Sequence, residues 1–338
     1  MRLAVIAGAA ALLVAAVPAQ EPARRLAVEM DQVRAQLSDA PDGEAAPMLA
    51  RLDRARTALG AERPLLALYL MEAPWKAARS FTFVKASSGV TSSELFAKKW
   101  TSLGEPRPLA SAGGARRPAL LEAIASAADT RAPITYHASR FYGDDAGLSG
   151  GLYYLGESQA EIQWAGFVRS LDVPAAAAAP PLRSIAAEIA ALDVEMTTAY
   201  ETMERASHST YIVASAALKQ ARTLDERRQF GAALFQYLLS RYLFAPLRGP
   251  AARDATVERI RESAATLDPK IDNSIAELFL QLAGEGVAGD AAEQTRGAAA
   301  TIEDVIPAYL RAIAAPATTA ASAPPAQVTI TLVRWPFT

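Results

Sequence analysis

Apolar side chains along this chain recur every three or four residues far more often than every second one, the spacing of helices that bury one face. The clearest run is Leu182, Ile185, Ile189, Leu192, Met196, Ala199, Met203 and Ala206, with Arg183, Glu188, Glu195, Glu201 and Glu204 off the seam. Helical throughout, that seam is about 36 Å long. Its small Ala positions suit close antiparallel packing in a bundle or hairpin. The same spacing predicts helices over 23–38, 45–59, 62–79, 92–103, 117–129, 149–171, 209–222, 225–245, 252–266, 271–284 and 289–314. Short connections carrying Gly, Pro or Asp favour antiparallel neighbours. The expected fold is all-α, with helical hairpins stacked as a bundle or short α-solenoid.

Two hairpins look alike. LDRARTALGAERPLLALYL and ALKQARTLDERRQFGAALFQYL share Ala-Arg-Thr, a short charged turn and a second helix rich in Leu and Tyr, the features of a diverged hairpin used twice or of chance similarity under the heavy Ala bias. Leu155, Gly156 and Pro180 fit the tetratricopeptide pattern, but Val168 and Asp172 depart from it and no second copy follows, so the stack is tetratricopeptide-like at most. Three segments alternate instead: SFTFVKAS with Phe81 and Phe83, PITYHAS with Ile134 and Tyr136, and QVTITLVRW with Val328, Ile330 and Leu332. The last is the best strand candidate. ATTAASAPPAQ before it has no packing face and is expected to act as a tether of roughly 35 Å at full reach.

The opening MRLAVIAGAAALLVAAVPA changes the picture from fold to address. Arg2, an apolar run from Leu3 to Val17 and small residues at Val17 and Ala19 have the layout of a secretory signal peptide cut before Gln20. As a helix, that run covers roughly 22 Å, short of a hydrocarbon core of about 30 Å. The chain has no Cys, which excludes disulfides, thiolate metal sites and a lipid attached at a leader cysteine. Its formal net charge of -2 argues against a nucleic-acid partner, which would need a basic face. The reading is a periplasmic or secreted protein without a membrane span in its mature part. It divides into a signal peptide at 1–19, helical regions at 20–171 and 182–314, a Pro/Ala linker at 172–181 and a tail at 315–338.

Chemistry is thinly written. GLSGG at Gly147–Gly151 matches a serine elbow in form, but the alternating strands and helices that elbow needs are missing, so it reads as a loop before a helix. GEGVAG at Gly284–Gly289 follows a helix and not a strand, and carries Glu285, so it reads as a cap and turn and not a phosphate cradle. Only two histidines exist, and a di-iron bundle would need two Glu-x-x-His pairs where this chain has none, so Glu201, Glu204 and His208 read as a solvated acidic face ending in a surface His; no metal or other cofactor is expected. HASRFYGDD gathers His137, Arg140, Tyr142, Asp144 and Asp145, with a local Arg140 to Asp144 pair as the simpler reading. SAGGARRP sets Arg116 and Arg117 before a helix start whose free amides could hold an anion, with a solvated loop as the simpler reading. Phe235, Tyr237, Tyr242 and Phe244 at helical spacing read as core before they read as a ligand groove.

The function expected from these features is a protein- or peptide-binding scaffold of the bacterial envelope, in which the terminal strand can add to a partner's sheet. The alternative is a hydrolase-type enzyme on a helical scaffold, with His137 and Asp144 or Asp145 as catalytic groups and Arg116, Arg117, Arg140 and Tyr142 as binding groups. A polar cleft around His137 favours the enzyme, and an apolar groove favours binding.

Overall fold

A computed structural model of the chain describes residues 4–40, 43, 45–108, 117–143, 147–173, 175, 177–201, 203–204, 207–248, 254–288 and 292–314. The 3.6-residue period becomes α1 (Ala4–Ser38), α2 (Ala46–Gly60), α3 (Pro64–Ala86), α4 (Ser93–Leu103), α5 (Ala119–Phe141), α6 (Leu148–Ser170) and α7 (Ala186–Tyr200). It continues as α8 (His208–Glu226), α9 (Phe230–Phe244), α10 (Val257–Ala265), α11 (Ser274–Ala288), α12 (Ala292–Ala300) and α13 (Ile306–Ala314). Side-chain caps start two of them: Ser92 accepts from Leu95 N at 3.3 Å, and Thr256 accepts from Arg259 N at 3.2 Å. The fold is all-α, and the described residues form no sheet; one isolated bridge joins Ala178 to Ile271. No helix among them is long and apolar enough to cross a membrane.

Chain neighbours pack as antiparallel hairpins, α2 on α3, α5 on α6 and α8 on α9, and α3 also packs on α1 and α6 while α5 reaches α9. Buried side chains from Leu26 in α1 to Ile313 in α13 belong to one cluster, so the core runs on both sides of 172–181. A smaller cluster of Phe96, Tyr136, Leu152 and Leu155 closes the end where α4, α5 and α6 meet.

Two predicted strands are helical. SFTFVKAS is the last part of α3, and PITYHAS lies inside α5. Phe81 and Phe83 read as alternating because Ser80, Thr82 and Ser87 separate and follow them; those hydroxyls donate to carbonyls four residues back, at 2.7–2.9 Å. Both helices also run through a proline, Pro74 and Pro133. Pro74 has no N–H for the Leu70 carbonyl, and Arg51 Nε of α2 donates to that oxygen at 3.0 Å. The long seam is shorter than expected at both ends. Asp225 accepts from Ser184 Oγ at 2.6 Å and from Ile185 N at 2.9 Å, holding 182–185 outside the helix, and α7 stops at Tyr200. GEGVAG begins inside α11, which continues to Ala288, so Gly284 and Gly286 are helical rather than a turn. The predicted helix over 289–314 is interrupted by a π-helical turn at Thr301–Val305. The terminal strand and its tether lie outside the described residues.

The α2–α3 and α8–α9 hairpins share their turn in detail. Glu62 and Arg228 each adopt a left-handed φ, 59° and 61°. The next residue closes the turn in both, Arg63 N donating to Ala58 O and Gln229 N to Leu224 O, each at 2.9 Å. The preceding helices also correspond: LAVEM in α1 and LDVEM in α7 stand at the same distance before their hairpins, with Leu26, Met30, Leu192 and Met196 all buried.

Candidate functional site

Three prolines open chain segments that meet at one corner of the molecule, Pro64 at the start of α3, Pro118 before α5 and Pro269 ahead of α11, and Pro22 reaches the same corner from within α1. Helix starts cannot interlock as closely as helix sides, and the corner holds a half-open cavity of about 660 Å³. Leu26, Leu65, Leu68, Leu121, Leu171, Val173 and Ile271 give it apolar walls. Its charged lining residues are Asp172, Asp272 and Glu277. Asp272 is structural, because its Oδ2 accepts from Ala119 N at 2.5 Å and its Oδ1 from Ser274 N at 2.9 Å. Ser274 Oγ accepts from Leu120 N at 3.0 Å, so the two residues cap α5 and start α11 together. Burial, and then the Asp272 charge, push the Glu277 carboxyl above its ordinary value. The volume is in the range of small-molecule pockets, and the lining has their usual character of apolar walls with a few polar groups.

The sequence candidates sit elsewhere. His137 is on α5, more than half exposed at 57%, with Nε2 3.3 Å from Glu105 and its ring beside Tyr136 and Trp100. Arg140 holds its guanidinium 5.1 Å from the Trp100 ring centroid, and Tyr142 stacks on Tyr154 at 4.8 Å. Asp144, Asp145 and Arg116 lie outside the described residues. Arg117 precedes Pro118, but the first α5 amides it was expected to assist are those taken by Asp272 and Ser274. Ser149 of GLSGG is exposed in the first turn of α6. His208 packs its ring on Tyr200 at 5.2 Å. Phe235, Tyr237 and Phe244 are buried, and Tyr242 packs on Phe279 at 6.0 Å, which makes the aromatic helix core.

Sequence reasoning missed a buried charge cluster. Glu161 of α6 is 1% exposed and accepts from Lys76 Nζ of α3 at 2.8 Å and from Arg131 Nε of α5 at 2.8 Å; Glu72 pairs with both cations. Burial works to raise the Glu161 carboxyl, and Arg131 and Lys76 override it, so it titrates below the ordinary value. Glu157, one turn away, is raised by burial despite Lys76. Arg241, Arg248 and Asp304 form a second cluster at the π-helical turn. The Glu72 and Lys76 spacing is that of a solvated i,i+4 pair, and only Met71 and Trp75 beside them hint at an inward face.

A second, polar cleft of about 630 Å³ is lined by Glu105, Arg107, Asp129, Pro133 and Arg227 among others; His137 is not part of its wall. Among the described residues no three His, Asp or Glu side chains are grouped to hold a metal ion. Comparison of the chain with family models, curated proteins and solved structures found no match.

Proposed function

We propose that this chain is an exported helical binding module of the bacterial envelope, which holds the apolar part of a peptide or smaller ligand in the corner cavity between α1, α3, α5 and α11. The observation that carries the reading is the cavity itself, about 660 Å³ with mainly apolar walls contributed by segments far apart in sequence. Export rests on the leader-like residues 1–19 and on a chain without Cys, in which packing and ion pairs hold the fold. The shared hairpin geometry and the LAVEM and LDVEM segments support a body in which one helical unit is used twice, as α1 to α3 and as α7 to α9, with α4 to α6 between them.

The binding test is a fluorescence titration with uncharged N-phenyl-1-naphthylamine. One saturable site is expected, lost in Leu65→Trp, whose indole occupies the cavity; a response unchanged by that substitution overturns the reading. Export is tested by sequencing the N-terminus of the protein recovered from the periplasm, where a start at Gln20 is expected and a start at Met1 contradicts it.

A further inference from the structure

We propose that the ligand of the corner cavity is an amphiphilic cation, a protonated amine on an apolar body, with the apolar body against Leu65 and Leu68 and the ammonium at Glu277 and Asp172. The proposal rests on the reading of the cavity as a binding site and adds the sign of the ligand's charge.

Among the described residues, the charged side chains lining the cavity are all acidic. Asp272 is spent on the α5 and α11 amides, whereas Glu277 and Asp172 have no side-chain hydrogen bond or ion pair among the described residues. Arg25, on the adjoining turn of α1, donates to Ser170 O at 2.6 Å and Ser170 Oγ at 2.9 Å. An anionic head in the cavity would face two carboxylates with no lining cation among the described residues to offset them. Glu277 and Asp172 both reach solvent; an ammonium supplies them with a counter-charge and with donors, whereas a neutral head supplies no charge.

The second hairpin shows what the apolar half of the site accepts. Leu65 stands three residues after the left-handed Glu62, and Gly231 stands three after the left-handed Arg228. At Gly231 the Leu182 side chain lies against the backbone, so close that a Cβ there would meet its Cδ1 at 3.2 Å. The corresponding hairpin face thus takes an aliphatic side chain from a neighbouring segment in one half of the chain and lines the cavity in the other.

The test is calorimetric titration of the purified protein and its Glu277→Gln and Asp172→Asn variants with octylammonium, 1-octanol and octanoate. The expected result is octylammonium binding at least tenfold tighter than the other two, with most of that margin lost in Glu277→Gln and octanol affinity changed less than twofold. Equal binding of all three, or tighter octanoate, overturns the charge assignment and leaves the apolar site standing. Absence of binding by all three overturns both. Asp172→Asn is the second carboxylate variant, and an octylammonium margin that survives both substitutions also overturns the assignment.

Discussion

The Tyr69 and Phe235 rings meet edge to face, 6.4 Å apart at 88°, and each stands seven residues after the left-handed residue of its own hairpin. Contact between corresponding positions is what a local two-fold axis between two hairpins produces. The two turns should then respond alike to the same change. Glu62 and Arg228 are exposed, and a left-handed φ costs a side-chain-bearing residue roughly 1–2 kcal/mol, part of which glycine recovers. Glu62→Gly and Arg228→Gly are each expected to raise unfolding stability by about 0.5–1 kcal/mol in urea titrations. Destabilisation by either, or effects of opposite sign, counts against a shared turn.

The buried cluster should split its carboxylates by sign. Glu161→Gln leaves Lys76 and Arg131 short of a counter-charge and is expected to cost about 3–5 kcal/mol. The wild-type contribution is present above the ordinary carboxylate range and is lost as pH falls through the lowered folded value. Glu157 is raised, so its protonated form favours the fold, and that contribution fades as pH rises. Glu157→Gln is therefore expected to be neutral or stabilising at pH 7, by about 1 kcal/mol at most. Denaturant midpoints of both variants measured across the acid range check the two signs together.

Two helical glycines separate packing from propensity. A Cβ at Gly156 in α6 would come within 2.8 Å of Phe83 Cβ, so Gly156→Ala is expected to cost about 1–3 kcal/mol. At Gly284 in α11 nothing lies within 4 Å, and Gly284→Ala is expected to stabilise by about 0.5–1 kcal/mol. Thermal unfolding of the pair reads both; stabilisation by Gly156→Ala would contradict the close approach of α6 to α3.

The helices were legible because Leu192, Met196, Leu218 and Leu224 keep the helical period and are buried as that period requires. The last turns of α3 were not, because Ser80, Thr82 and Ser87 make SFTFVKAS look alternating while their hydroxyls bond to carbonyls four residues back. Asp225 cut the α7 seam from a distance, acting on Ser184 and Ile185 across the fold. The cavity left no local pattern at all. Pro22, Pro64, Pro118 and Pro269 each read as an ordinary helix start or loop, and only their meeting makes a site. HASRFYGDD stood out in sequence by density of polar types, yet His137 and Arg140 project from the exposed end of α5 onto Glu105 and Trp100.

The binding site is tested most directly by amide hydrogen exchange of the protein with and without saturating N-phenyl-1-naphthylamine. Added protection is expected in peptides covering 22–26, 64–68, 171–173 and 269–277, the segments that wall the cavity. Protection confined to other segments, or none with the probe bound, would contradict a ligand site at this corner.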